Sequence, residues 1–283
     1  MDSYSKFLTD LAEKTEPNKA EPNKAEQDYI KDGLLYCGKC GTAKQVKINI
    51  SGMIHKPYCM CKCEEEAYNK EQANIKETLR KQEIERNRST GFLDLDMIGC
   101  VFDNDDAKNP KISGVCKRYV QHFQTMFQRG KGLLMYGGTG TGKSFMSACI
   151  ANALIDQGYK CLVTNFPRII NELTGIYEGK QEYIDSLNTY ALLVIDDLAI
   201  ERDTEYTAEI IQNVIDSRYR ANKPLIVTTN LSLQEIKNPK GMRKQRLFSR
   251  LKEMCLPIEV TGEDRRDKKF EANYNAMSKL LGI

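Results

Sequence analysis

The sequence predicts an α/β fold, a parallel sheet flanked by helices, with a small cysteine-rich domain and a charged helix ahead of it. Three observations predict it. Gly137-Gly138-Thr139-Gly140-Thr141-Gly142-Lys143-Ser144 fits the pattern G-x-x-x-x-G-K-[ST] between an apolar strand-like run, Gly132–Tyr136, and an apolar helical run, Phe145–Leu154. Two further apolar runs, Ala191–Ile195 and Leu225–Val227, each end in polar residues, as strands buried on both faces of a parallel sheet do. Five of the ten cysteines fall between Cys37 and Cys63.

Composition narrows the class. A chain of 283 residues, 41 % hydrophobic, has room for one large core plus a small domain. The net charge of +3 is too slight to announce a nucleic-acid binder by itself. No apolar run is long enough to span a bilayer, and the first residues lack a signal-peptide core. A cytoplasmic protein is expected, with its cysteines reduced.

Residues 1–30 read as a flexible N-terminal segment: a short helical stretch, Ser5–Glu13, precedes a tandem repeat, Glu16-Pro17-Asn18-Lys19-Ala20 and Glu21-Pro22-Asn23-Lys24-Ala25. Residues 31–66 read as a zinc-binding domain. Cys37-Gly38-Lys39-Cys40-Gly41 is a CxxC knuckle, and Cys59-Met60-Cys61-Lys62-Cys63 follows a hairpin that turns at Ser51-Gly52. The expected Zn²⁺ ligands are Cys37, Cys40, Cys61 and Cys63, with Cys59 or His55 as substitutes. A redox CxxC would need a thioredoxin-like unit, which is missing. Four thiolates leave no open position, so the site is structural. Residues 67–100 read as a charged linker helix and turn: both signs are dense from Glu64 to Arg88, and Ser89-Thr90-Gly91 ends the helix.

Residues 101–283 carry the nucleotide chemistry. Glycines let backbone N–H groups turn inward around phosphates, and the following helix adds its positive end. Residues Gly137–Ser144 are thus the expected ATP cradle, with Lys143 on the β- and γ-phosphates and Ser144 on Mg²⁺. A strand is expected at Cys161–Asn165, with a helix from Pro167. Asp196 and Asp197 emerge at the carboxyl edge of the next strand, where open α/β sheets bind ligands. Asp196 is the expected Mg²⁺ residue; Asp197 is the expected base, with Glu201 a weaker second. Asn230 ends another strand and is placed to contact the γ-phosphate or the attacking water. Helical spacing is read up to Arg129 from Val115, over Thr204–Arg220 and over a final helix, Phe270–Leu281. The basic stretch Lys240–Lys252 reads as a charged helix carrying an arginine finger for a neighbouring subunit, Arg250 or Arg246, or as a DNA-phosphate patch.

Phe166-Pro167, Ile195-Asp196-Asp197-Leu198, Asp216-Ser217-Arg218-Tyr219, Leu225–Asn230 and Arg246-Leu247-Phe248-Ser249-Arg250-Leu251 together resemble the DnaC/DnaI-type bacterial and phage helicase loaders. These are AAA+ ATPases in the wider group that includes the IstB transposition helpers. The resemblance covers roughly residues 100–266. The cysteine module with its charged helix resembles the helicase-binding region of the DnaI-type members. It implies an ATP-dependent loader that delivers a hexameric replicative helicase onto single-stranded DNA, gripping the helicase through the zinc region. Assembly into a homo-oligomer through AAA+ interfaces is implied, and the motif Arg-Leu-x-Ser-Arg-Leu makes Arg250 the first choice for the finger.

Two departures qualify it. Glu263–Ile283 is too short for the helical lid of full AAA+ proteins, so Arg265 or Arg266 is left to serve in part for the usual sensor arginine. Asp197 stands where many such ATPases have glutamate, which predicts slow, switch-like turnover. The rival reading is an IstB-like helper of a transposase, against which the zinc module argues. A third, a zinc-dependent DNA-binding regulator, lacks a recognition helix in residues 34–63.

Overall fold

The computed structural model describes residues 27–198 and 205–283. The expected helix at Ser5–Glu13, the tandem repeat and Glu201 lie outside the described residues. The chain divides between Leu79 and Arg80 into two compact units.

The first unit is small and mostly exposed. Two antiparallel hairpins, β1 (Tyr29–Lys31) with β2 (Leu34–Tyr36) and β3 (Ile48–Ile50) with β4 (Met53–His55), flank the cysteine knuckles. Asn49 closes the second hairpin by accepting the Gly52 N–H at 3.0 Å. Among the described residues of this unit the buried apolar ones are Leu35, Cys37 and Cys61. Helix α1 (Lys62–Gly91) starts inside the second knuckle and runs across the division. Its charge of both signs leaves it almost wholly exposed; only Asn87 and Gly91 are buried.

The second unit is a five-stranded parallel sheet of order β6-β7-β8-β5-β9. The strands are β5 (Gly132–Tyr136), β6 (Cys161–Asn165), β7 (Leu192–Asp196), β8 (Leu225–Thr229) and β9 (Cys255–Glu259). Their apolar runs are continuous because both faces are covered. Leu134, Leu193, Ile195 and Val227 face one layer, formed by α5 (Phe166–Gly175), α7 (Glu205–Arg220) and α9 (Met242–Met254). Leu133, Met135, Val194 and Ile226 face the other, formed by α2 (Pro110–Gln121), α3 (Phe123–Gln128) and α4 (Lys143–Asp156). Each fully buried aliphatic side chain contributes roughly 1.5–3 kcal/mol by leaving water.

Three departures from the sequence expectation have local causes. The helix read as continuous up to Arg129 breaks at His122, whose N–H bonds back to Arg118 as the cap of α2. Helices α6 (Lys180–Ser186) and α8 (Leu233–Lys237) are too short to show a period; α8 is set by a Ser232/Glu235 capping box. The last helix, α10, spans Arg265–Leu281 and starts earlier than Phe270 because Asp264 caps it, accepting the Arg266 N–H at 2.8 Å.

Two buried polar residues brace the nucleotide unit. Asn152, on α4, donates to the carbonyls of Met97 and Cys100 and accepts from Arg88 Nη1 at 2.8 Å. It thereby ties the segment entering the unit to the helix behind the phosphate loop. Arg218 is 1 % exposed and meets no carboxylate. Its guanidinium donates to the carbonyls of Leu187, Tyr190, Ala191 and Pro224 at 2.7–3.2 Å. Burial pulls its pKa down to about 9. The Asp-Ser-Arg-Tyr stretch thus contributes an internal clamp joining α7 to the segment that leads into β7 and to the loop that leads into β8.

Candidate functional site

Strand β5 lies between β8 and β9, so the loop leaving it opens at the carboxyl edge where the strand order reverses. A cleft of about 710 Å³ occupies this edge. The phosphate loop lines it through Thr139, Gly140, Gly142, Lys143 and Ser144; Asp196, Asp197 and Asn230 come from the tips of β7 and β8. Gly137, Gly138 and Thr141 complete the loop from behind: Thr141 Oγ1 donates to the Gly138 carbonyl at 2.9 Å. At Gly140 the backbone is left-handed (φ 70°), and a Cβ would lie 1.7 Å from Asp264 Oδ1. Glycine is required there on both counts.

Lys143 Nζ donates to the carbonyls of Gly137 (2.9 Å) and Gly138 (2.6 Å) and to Asn230 Oδ1 (2.8 Å). Desolvation lowers its pKa, and the charges of Asp197 and Asp196 oppose that shift. Asn230 Nδ2 in turn donates to Asp197 Oδ1 at 3.2 Å. The loop lysine, the strand-end asparagine and the second aspartate therefore form one chain of contacts.

Sequence reasoning missed Thr228. The β7–β8 register pairs Ile195 with Val227, which sets Asp196 beside Thr228. The buried Thr228 hydroxyl donates to Asp196 Oδ1 at 2.6 Å and accepts the Asp197 N–H at 2.8 Å. Asp197 holds a left-handed backbone, φ 52°, and this bond fixes it. The signal was present as polar Thr228-Thr229 interrupting an apolar strand at its carboxyl end.

The chain's C-terminal part packs against the loop itself. Arg265 and Arg266 line the cleft, Arg265 N–H bonds to the Gly140 carbonyl at 3.1 Å, and its guanidinium pairs with Asp106 at 3.1 Å. Arg250 is not among the residues lining this cleft. It lies on α9, its Nε 3.4 Å from Asp216 and its guanidinium 4.3 Å over the Tyr219 ring. Arg246 is exposed on the same helix, whose Leu247, Phe248, Leu251 and Met254 are buried. The donor set of the cleft suits a triphosphate with Mg²⁺: a ring of loop amides, one lysine, a hydroxyl at Ser144 and two carboxylates.

In the first unit the sulfurs of Cys37, Cys40, Cys61 and Cys63 all lie within 4.8 Å of one another, Cys37 and Cys63 at 3.9 Å. A regular tetrahedron around Zn²⁺ places its sulfurs about 3.8 Å apart. Cys59 turns away to the Ala43 carbonyl, and His55 is exposed on β4. The Cys63 thiol is pushed up to about 12, first by its bond with Cys40 and then by desolvation. Thiolates crowded this closely are relieved by a divalent cation among them, so the donor set fits zinc. None of the ten cysteines is in a disulfide.

Among the described residues no helix is long and apolar enough to cross a membrane. The chain is 27 % identical over 189 residues to the replicative helicase loader DnaI of Bacillus subtilis (strain 168), across 62 % of this chain and 61 % of that one. It is 24 % identical over 131 residues to the replicative helicase loader DnaC of Escherichia coli (strain K12), across 45 % of this chain and 52 % of that one. The chain thus spans less than two-thirds of the length of these curated relatives. A crystal structure of DnaI superimposes with a TM-score of 0.52 at 24 % identity, over 64 % of this chain and all of that one. A crystal structure of the DnaC helicase loader gives 0.52 at 23 %, over 59 % and 100 %. The likeness places the parallel-sheet unit in the same fold. The profile of the family described as IstB-like ATP binding protein matches residues 76–272, well over half of the chain, and the chain belongs to that family.

Proposed function

We propose that this protein is an ATP-dependent loader of a ring-shaped replicative helicase, acting in the cytoplasm during DNA replication. The observation that carries the reading is the union of a phosphate-loop cleft and a four-cysteine cluster in one chain, related to proteins named replicative helicase loaders. The division of labour follows the sequence: residues 31–66 bind zinc and grip the helicase, residues 67–100 link, and residues 101–283 bind ATP and single-stranded DNA.

In the reaction, ATP and water give ADP and phosphate. Ser144 and Asp196 would hold Mg²⁺, which would neutralise charge at the phosphates. Lys143 leaves the carbonyls of Gly137 and Gly138 and meets the β- and γ-phosphates. Asn230, released from Lys143, orients the attacking water, and Asp197 accepts its proton. Arg265 and Arg266 close over the loop from the C-terminal side. Arg250 reaches the cleft of a neighbouring copy and stabilises charge on the transferred phosphoryl group, so hydrolysis requires assembly. Asp197 is shorter than glutamate by one methylene and already engaged by Asn230, which suits slow turnover.

A pull-down of the host's proteins on the full chain tests the reading. Wild type is expected to retain the replicative helicase, and the variant Cys37→Ser/Cys40→Ser to lose it while still binding ATP. Recovery of a transposase in its place would favour the IstB-like helper and sink the loader. Helicase retention by the cysteine variant would separate helicase binding from the zinc region.

A further inference from the structure

The four cysteines come from two stretches of chain, which also meet where the Lys62 N–H donates to Thr42 Oγ1 at 3.0 Å and the Cys37 and Cys63 sulfurs lie 3.9 Å apart. Lys44 stands between them. Its N–H donates to the Leu35 carbonyl at 2.7 Å, two residues ahead of Cys37, and its carbonyl accepts the Cys59 N–H at 2.8 Å, two residues ahead of Cys61. Its ammonium meets Asp28 Oδ2 at 2.8 Å and Glu64 Oε1 at 3.0 Å. Each carboxylate caps one knuckle: Asp28 Oδ1 accepts the Gly38 N–H at 3.0 Å, and Glu64 Oε2 accepts the Cys61 N–H at 3.1 Å. The side chains of Lys44 and Asp28 are 6 % and 2 % exposed.

Such a charged pair, shut away from water, costs desolvation and is retained only where its geometry is used. An ordinary hydrophobic contact would hold two hairpins together as well. What an apolar contact cannot do is bind two backbone amides, one in each knuckle, through carboxylates joined by a single cation. Groups outside a metal's ligand shell that orient its ligands set affinity about 10- to 100-fold.

We propose that Asp28, Lys44 and Glu64 form a clasp that orients the two cysteine knuckles around the metal, so that the folded four-thiol site holds it tightly. The three are positioning residues; none contributes a ligand atom. The clasp rests on the reading of the cluster as a zinc site. It also places Asp28, in the stretch read from sequence as flexible spacer, within the metal unit's working parts.

The test uses the full chain loaded with Zn²⁺ and titrated with a chromogenic chelator, with Co²⁺ substitution as a spectroscopic readout of four-sulfur tetrahedral geometry. Lys44→Met, which takes the shared cation from between Asp28 and Glu64, is expected to release zinc at 10- to 100-fold lower chelator concentration. Glu64→Gln keeps one acceptor for the Cys61 N–H but sets an NH2 donor against the Lys44 ammonium, so it loses the ion pair and keeps the cap; a smaller loss, several-fold, is expected. Adding Asp28→Asn to Lys44→Met lowers the negative charge buried without its ammonium and keeps an acceptor for the Gly38 N–H, and is expected to restore part of the affinity. ATP affinity measured on every variant confirms that the rest of the chain is folded. Release of zinc by both Lys44→Met and Glu64→Gln at the wild-type chelator concentration, with unchanged Co²⁺ spectra, would overturn the clasp. Wild-type chain that takes up no stoichiometric Zn²⁺ would overturn the zinc reading itself.

Discussion

The two units solve the problem of staying folded in opposite ways. The nucleotide unit buries both faces of a five-stranded sheet, with Leu134, Leu192, Leu193, Val194, Ile195 and Leu225 to Val227 all at 0 % exposure. Among its described residues the cysteine unit buries almost nothing apolar; all six residues of β3 and β4 are exposed. A unit this small cannot gather a core that offsets its chain entropy, and small domains of this kind are stabilised by metals or cross-links. The difference teaches where each unit is vulnerable: one through its ligands, the other through its interior.

Removing zinc gives the largest expected effect. Structural zinc supplies roughly 10–16 kcal/mol to small domains of this type. Chelation, or Cys40→Ser, is expected to unfold the first unit outright. Backbone amide exchange would report loss of protection across Leu34–Tyr36 and the knuckles, with β5 to β9 unchanged. Concerted loss of protection in both units would break the comparison. Its mirror image is Lys143→Ala, which is expected to weaken nucleotide binding at least about 100-fold while leaving zinc content at wild-type level. The lysine touches loop carbonyls and Asn230, so its removal takes a binding group from the cleft and leaves both cores intact.

Arg218→Met probes the second unit from inside. The methionine fills part of the space but leaves the carbonyls of Leu187, Tyr190, Ala191 and Pro224 buried with fewer donors. Stranded acceptors cost about 1–3 kcal/mol each where water cannot reach them. Allowing relaxation, a net loss of about 3 kcal/mol is expected, or roughly 6–12 °C in the melting temperature of the nucleotide unit. Zinc affinity is expected to stay constant. A melting temperature within 2 °C of wild type would show that the clamp is dispensable, on the scale of about 1 kcal/mol per 2–4 °C.

How much of this was legible in the sequence differs between the same two units. The strands of the nucleotide unit announced themselves because a run such as Leu192–Ile195, buried on both faces, can hardly be anything else at that length. The loop and the strand-end acids followed from their positions at that sheet edge. Arg218 read only as part of a motif, since a guanidinium satisfied by backbone carbonyls leaves no partner residue to find. Hairpin β1–β2 was missed although Asp32-Gly33, left-handed at both residues between Lys31 and Leu34, is a two-residue hairpin turn; the role of Asp28, through Gly38 and Lys44, has no local pattern. The turn at Ser51-Gly52 was legible because the sequence carries its own chemistry there.

The smallest effect belongs to Thr228, and it separates placement from chemistry inside the cleft. Its hydroxyl is one oxygen with two duties, donating to Asp196 and accepting from the backbone of Asp197. Thr228→Val keeps the shape and the β-branched fit to the strand but deletes both bonds. Asp197 then loses the contact that holds its left-handed backbone, and Asp196 loses the donor that aims its carboxylate. Neither loss removes a group that touches phosphate, so ATP affinity is expected to stay within about twofold. Hydrolysis is expected to fall about 10-fold, with a higher Mg²⁺ concentration needed for half-maximal rate, because a misplaced carboxylate costs orientation but not binding. Thr228→Ser restores the hydroxyl and is expected to recover most of the rate. A merely structural threonine would behave otherwise: valine would lower the melting temperature and leave the Mg²⁺ dependence unchanged.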